Sequence, residues 1–224
     1  MHVEPGIVDG VKIVLSYATA AGAGAYSMKL AFETLKAASA ASFASRTLLA
    51  IASAFTFFQV LPHFPVGVSE VHFILGSTLF LIFGAAPAAF GLALGLLLQG
   101  VLFAPADLPQ YFINVTTLLV PLFAVTAIAK RIIAPNTAYI DMTYAQALKL
   151  STTYQAGVVA WVAFWAFYGQ GFGAENIAAV TSFGAAYMLV ILIEPIADLA
   201  VLAGAKSLAS LEKTGLVQGR VYRA

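Results

Sequence analysis

The chain opens Met1-His2-Val3-Glu4-Pro5-Gly6, and no other stretch combines residue types so suited to one chemistry. Three nitrogens stand in series: the α-amine of Met1, the amide nitrogen of His2 and Nδ1 of its imidazole. One ion held by all three closes a five-membered and then a six-membered chelate ring, with the donors in one plane. A flat nitrogen field suits Ni(II) or Cu(II) and accommodates Co(II). A second imidazole would complete the plane. Unperturbed α-amines titrate at about 7.7–8.0, so loading weakens as pH falls, because the ligands must lose protons. The stretch has neither the positive start nor the cleavage site of a secretory leader, and bulky His2 disfavours removal of Met1, so the mature chain is expected to begin there. The plain alternative is that every chain carries an amine and that His2 is chance.

The elements that would position such a start are hydrophobic. The chain is 61% hydrophobic and only 9% charged, against about 25% charged in soluble domains; this is the composition of a polytopic membrane protein. A net charge of +1 without a basic patch gives no footing for nucleic acid. The absence of cysteine removes disulfides, thiolate metal sites and cysteine nucleophiles. A transition metal would therefore be held by histidine, carboxylate or backbone nitrogen, and the histidines are His2, His63 and His72.

Spans of about 20 apolar residues are needed to cross a bilayer. Seven candidates stand out: Ile7–Ala31, Thr47–Leu61, Val71–Phe83, Ala86–Phe103, Phe112–Ile133, Leu148–Tyr168 and Ile177–Ala203. The second and third are short, and Gly84-Ala85-Ala86-Pro87 separates the third from the fourth as a tight turn. Residues 1–224 form a single transmembrane domain, with no internal repeat and a basic tail over 206–224. Lys29, Lys36 and Arg46, then Lys130, Arg131 and Lys149, then Lys206, Lys213, Arg220 and Arg223 all fall on one side of a seven-span bundle. Only Lys12 departs, so ten of the eleven basic residues agree. The positive-inside rule makes that side cytoplasmic. The N-terminus, the three histidines, Glu4, Asp9, Glu70, Asp107 and Glu175 are then outside.

The run Phe64-Pro65-Val66-Gly67-Val68-Ser69-Glu70-Val71-His72 ends one helix and begins another. His72 is expected in the first turn of its helix with Ser69 as N-cap; the helix dipole there favours the neutral imidazole that a metal requires.

These residues resemble the CbiM/NikM family, the substrate-binding membrane components of energy-coupling-factor transporters for cobalt and nickel. The similarity lies in the Met1-His2 start with Gly6, in Phe64-Pro65-x-Gly67 leading to His72, in Leu98-Gln99-Gly100-Val101-Leu102-Phe103, in the polar loop before Asn114 and in a late helix carrying Glu194. The resemblance implies an all-α bundle into whose outer side the N-terminal segment, residues 1–6, is inserted. It implies that Met1, His2 and His72 hold Co2+ or Ni2+, the planar four-nitrogen set derived above. Non-helical backbone at membrane depth must be buried in protein or line a cavity; Gln99 and Asn114 would supply amide partners to that backbone and hydrogen bonds to the ligating rings, or serve as ordinary interhelical bonds. The implied partners are a transmembrane coupling protein and ATPase subunits, with room for a small accessory membrane subunit. No GxxxxGK[ST] loop occurs here, so ATP hydrolysis would belong to those partners, and the chain is not an enzyme itself. The implied location is the inner membrane of a bacterial or archaeal cell.

Departures from the family pattern are Glu70-Val71 where small residues precede the histidine, and a loop Pro105-Ala106-Asp107-Leu108-Pro109-Gln110-Tyr111 without a glycine run. His63 and Glu70 are candidate accessory residues; Glu70 reads more simply as a solvated loop charge. Ala18, Ala21, Gly22 and Ala25 give small-x-x-x-small spacing, for packing against a coupling partner or within the bundle. Trp161, Phe164, Trp165, Phe167 and Tyr168 read as an interfacial aromatic belt. Glu194 before Pro195 marks a kink and a partner for buried hydroxyls, while Asp198 reads as solvated near the cytoplasmic end. The leading reading is uptake of Co2+ or Ni2+. The alternative is a relative that has lost transport and serves as a structural or assembly subunit of a larger membrane complex.

Overall fold

The computed structural model describes residues 2–223. Its α-helices are α1 (Val14–Ala37), α2 (Ala40–Gln59), α3 (Gly76–Phe83), α4 (Ala85–Leu102), α5 (Tyr111–Ile132), α6 (Tyr144–Gln170), α7 (Ala174–Met188) and α8 (Glu194–Ser207). Between α2 and α3 lies an antiparallel hairpin, β1 (His63–Val66) and β2 (Ser69–His72). Counted with α7 and α8 as one broken unit, seven helical units make an all-α bundle. Four helical stretches are long and apolar enough to cross a membrane: Ala40–Gln59, Ala85–Leu102, Pro105–Ile132 and Ala174–Ser207.

The helix boundaries have local causes. Ser39 caps α2 by accepting from the Ser42 amide at 3.2 Å, which starts that helix seven residues before the apolar run suggests. Thr143 and Gln146 form a capping box at the start of α6. α1 begins at Val14, not Ile7, because Pro5-Gly6 turns the chain and a 3-10 turn over Gly10–Ile13 intervenes. The third expected span is a hairpin strand followed by a half-helix: eight residues of α3 rise about 12 Å, well short of the roughly 30 Å hydrocarbon core. Val71 and His72 stay extended because they pair with Phe64 and His63. Ser69 accordingly caps no helix. Leu75, at φ 54, reverses the chain from strand into α3.

Close packing of small residues sets the bundle. A Cβ on Gly91 would fall 2.5 Å from Ala50 Cβ, and one on Gly95 would fall 2.8 Å from Ala54 Cβ. The absence of side chains at Gly91 and Gly95 on α4 lets α2 lie against it. Trp165 is fully buried, and Trp161 Nε1 donates to Thr116 Oγ1 at 3.1 Å. Only part of the expected aromatic belt, notably Phe164 and Tyr168, is exposed. The stripe Ala18, Ala21, Gly22 and Ala25 is exposed, so it is not used for packing inside the bundle.

At the end of the bundle opposite the hairpin, Arg46 Nη1 donates to the Phe83 carbonyl at 2.9 Å. Gln218 Nε2 donates to the carbonyls of Phe80 and Leu81 at 2.8 and 2.6 Å. The Leu81 and Phe83 carbonyls stand at the C-terminus of α3, where intrahelical donors run out; the Phe80 carbonyl also accepts from the Gly84 amide at 2.9 Å. Gly91→Leu should wedge α2 from α4 and cost about 1–3 kcal/mol, read as a lowered thermal midpoint in detergent; an unchanged midpoint would show that this contact is not close-packed.

Candidate metal centre

The N-terminal segment is held by strand pairing. Val3 and Ser69 form an antiparallel bridge. The Glu70 amide donates to the His2 carbonyl at 3.0 Å and the Glu4 amide donates to the Val68 carbonyl at 3.1 Å. Ser69 Oγ donates to the same His2 carbonyl at 2.8 Å. The segment is thus a third extended strand on the free edge of the β1–β2 hairpin. Its other edge is satisfied by side chains: the Val3 amide donates to Asn114 Oδ1 at 2.8 Å. Further along, Gln110 Nε2 donates to the Val8 carbonyl at 3.0 Å, and the apolar side chains of Val3 and Val8 are wholly buried. A Cβ on Gly169 would fall 1.9 Å from the Ile7 carbonyl oxygen, so glycine there lets α6 approach the segment.

Two-residue hairpin loops favour glycine where φ is positive. Gly67, at φ 62, occupies the first loop position. The hairpin register sets His63 directly opposite His72, and their rings stack at 4.7 Å with planes 7° apart. The His2 ring lies 5.5 Å from that of His72. His72 Nε2 stands 2.9 Å from Glu70 Oε2. Donor atoms of His2, Glu70 and His72 all lie within 4.8 Å of one another. His2 Nδ1 is also 3.2 Å from Asp107 Oδ2. That approach lacks hydrogen-bond alignment, and among the described residues both His2 nitrogens and His72 Nδ1 are buried without a hydrogen-bond partner. Unsatisfied buried nitrogens on adjacent rings are what a site with imidazole donors provides.

Burial holds both rings in the neutral, ligand-competent form. It pushes the pKa values of His2 and His72 far below 6.5, and neighbouring imidazoles add to the effect. In the unfolded chain both titrate at about 6.5. Above that value neither state binds the proton and no penalty arises; below it the unfolded state takes up protons that the folded state refuses.

Of the residues singled out by sequence, the structure brings together His2, His63, Glu70, His72 and Asn114. Met1 lies outside the described residues. Gln99 is buried on α4, but its Oε1 has no hydrogen-bond partner among the described residues and it does not bond the N-terminal segment. The Val3 amide of that segment is met by Asn114, and the Val8 carbonyl just beyond it by Gln110. Glu70 is no solvated loop charge: strand β2 carries it to the His72 ring. Asp107 beside His2, and Ser69 on the His2 carbonyl, were missed as site residues. Their signal was weak: Ser69 reaches the His2 carbonyl only through strand pairing, and Asp107 reaches His2 from a turn far along the chain.

The fold and this site define a polytopic membrane protein whose own N-terminal strand is threaded to a buried histidine pair. The chain belongs to the CbiM family, described as the cobalt uptake substrate-specific transmembrane region, which it matches over residues 2–210. No curated protein sequence matches it. Two crystal structures share the fold. One, of a truncated transition metal transporter, is 16% identical, with 92% of this chain and 99% of that chain covered at a TM-score of 0.71. The other, of a transition metal transporter, is 15% identical, with 93% of each chain covered at a TM-score of 0.69.

Asn114→Ala should leave the buried Val3 amide without an acceptor and cost about 1–3 kcal/mol. Hydrogen exchange at that amide should accelerate, and unchanged exchange would mean the segment is anchored elsewhere. Stability of the metal-free protein should fall as pH drops below about 6.5, by up to ~1.4 kcal/mol per pH unit for each buried imidazole. Replacing His2 and His72 with Asn should flatten that dependence in thermal melts.

Proposed function

We propose that this chain is the substrate-binding membrane component of a metal-uptake system and that its cargo is Co2+ or Ni2+. The observation carrying this is the convergence of the His2, Glu70 and His72 donors within 4.8 Å, on a strand whose next residue inward from the N-terminus is His2. In this reading Met1 supplies its amine, His2 its amide and ring nitrogens, and His72 the remaining equatorial nitrogen. Asn114, Gln110 and Ser69 hold the strand in place. His63, stacked on His72, and Glu70 and Asp107, both partly exposed at the same end, form the approach.

The direction of uptake follows from charge. The histidines cluster at one end of the bundle, while Arg46 and the C-terminal tail lie at the other. With the basic end cytoplasmic, the N-terminus faces outward, the tail inward, and the metal enters from outside a bacterial or archaeal inner membrane. A transmembrane coupling protein and ATPase subunits would supply the energy. The exposed stripe of Ala18, Gly22 and Ala25, with open space beyond Gly22, supports a helix of the coupling partner lying against α1. The structural-subunit alternative draws on Glu70-Val71 and on the altered loop before Asn114; Glu70 beside His72 is an additional donor, and that loop brings Asp107 and Gln110 to the N-terminal chain, which gives the alternative little support.

The purified protein with its native start should hold about one cobalt or nickel ion per chain with a nitrogen-ligated absorption spectrum. A short N-terminal tag should abolish it. His2→Ala should weaken affinity by more than the 10–100-fold typical of losing an outer partner of a ligand. Affinity should also fall as pH drops below about 8, where the α-amine takes up a proton. Equal metal content in tagged and untagged protein would sink the amine assignment.

A further inference from the structure

A second cluster lies in the interior of the bundle, away from the strand patch. Glu194 and Asp198, one turn apart at the start of α8, are both fully buried. Ser77 Oγ is placed to donate to Glu194 Oε1 at 3.1 Å and to Asp198 Oδ2 at 2.8 Å. Thr78 Oγ1 donates to Asp198 Oδ1, Ser151 Oγ donates to Glu194 Oε2 at 2.9 Å, and Gln155 Nε2 donates to the same oxygen. Ser77 has a single proton and serves one carboxylate at a time. None of the ion pairs among the described residues includes Glu194 or Asp198. Two acids therefore face one another in a bilayer-spanning bundle with hydroxyls and amides around them and no base.

Independent of those bonds, unused oxygens surround the pair. Among the described residues, Gln155 Oε1 and the hydroxyls of Tyr154 and Tyr187 are buried without a hydrogen-bond partner. The hydroxyl end of Tyr154 lies over the start of α3: a Cβ on Gly76 would fall 2.2 Å from Tyr154 Cζ, next to Ser77. Buried polar atoms without partners, beside uncompensated buried acids, call for a ligand that accepts electron pairs. The donors are all oxygen, the set preferred by hard divalent cations, and two carboxylates balance a charge of +2.

We propose that Glu194 and Asp198, with Ser77, Thr78 and Gln155, form a second, oxygen-lined site for a divalent cation inside the bundle. Ser77 is five residues beyond His72 on the same strand-to-helix run, so the site lies next inward from the histidines. An oxygen set grips Co2+ or Ni2+ less firmly than imidazole and amide nitrogen, which suits a position that receives an ion and releases it. As a station for the cargo it rests on the uptake reading; as a cation site it stands independently.

The test uses full-length protein in detergent titrated with Mn2+, which favours oxygen ligands, with free Mn2+ read by electron paramagnetic resonance. The His2→Ala protein should still take up about one Mn2+ per chain. Glu194→Gln and Asp198→Asn should each weaken that uptake at least tenfold, and Mn2+ should raise the thermal midpoint of His2→Ala but not of Glu194→Gln. Glu194→Gln protein with an intact histidine site should retain its nitrogen-ligated cobalt spectrum, which also reports that it is folded. Gln155→Ala, which spares both acids, should weaken Mn2+ by a smaller factor. Folded His2→Ala protein that takes up no Mn2+, or uptake unchanged by Glu194→Gln and Asp198→Asn, would overturn the proposal. So would an infrared carboxylic-acid band that Mn2+ leaves in place, since the pair would then merely share a proton. A wild-type protein that binds Mn2+ in this way but shows no nitrogen-ligated cobalt would instead count against the histidine reading.

Discussion

The structure depends on one backbone pairing: the His2 carbonyl accepting from the Glu70 amide and from Ser69 Oγ. Extended backbone inside a bundle must find partners for every amide and carbonyl, because the bilayer offers none. A hairpin alone would leave one edge of β2 bare, and a lone N-terminal strand would leave both edges bare. Each solves the other's problem. The residual edge of the N-terminal strand is closed by side chains reaching across, notably Asn114 from α5. The rings of His2 and His72 are set by this pairing, since their positions follow from the register of Val3 against Ser69 and of His63 against His72.

The pairing also explains why α3 is short. Residues 69–72 spend their length as strand, so only Gly76–Phe83 is left to continue toward the other end. A helix leaves its last carbonyls without intrahelical donors. Here Arg46 and Gln218 meet them, tying the tail to the same element that begins below His72. Along this single run stand, in order, the His72 ring beside His2, a glycine that admits the Tyr154 ring, two hydroxyls on the buried acids, and carbonyls met by the tail. Changes at any of these places are mechanically adjacent to the others.

Electrostatics divide the two buried polar clusters. At the histidines, burial disfavours the imidazolium and keeps nitrogen lone pairs free. At Glu194 and Asp198 the donors are oxygen and the surroundings contribute hydroxyls. Softer nitrogen chemistry sits at the end that carries the N-terminal strand, and harder oxygen chemistry lies within.

Much of the molecule was legible as sequence. Membrane character, the later helices and the candidate ligands follow from hydropathy, from the absence of cysteine and from the scarcity of histidine, which are properties of the chain taken one window at a time. His2 at the start, followed by Pro5-Gly6, already carries the donor types of the expected chelate. What tertiary structure alone decided is pairing. Periodicity gives no sign that Val71-His72 extends into a strand, because that conformation is stabilised by contacts with residues 2–4 and 63–66 rather than by local preference. Whether Glu70 points to solvent or to His72 is a matter of strand register. Asp198, which sequence places near an end and within reach of water, is buried because the hydroxyls of Ser77 and Thr78 on a distant half-helix face it. That Gln110 on the turn before α5 donates to the Val8 carbonyl is likewise set by the path of the chain after the N-terminal strand.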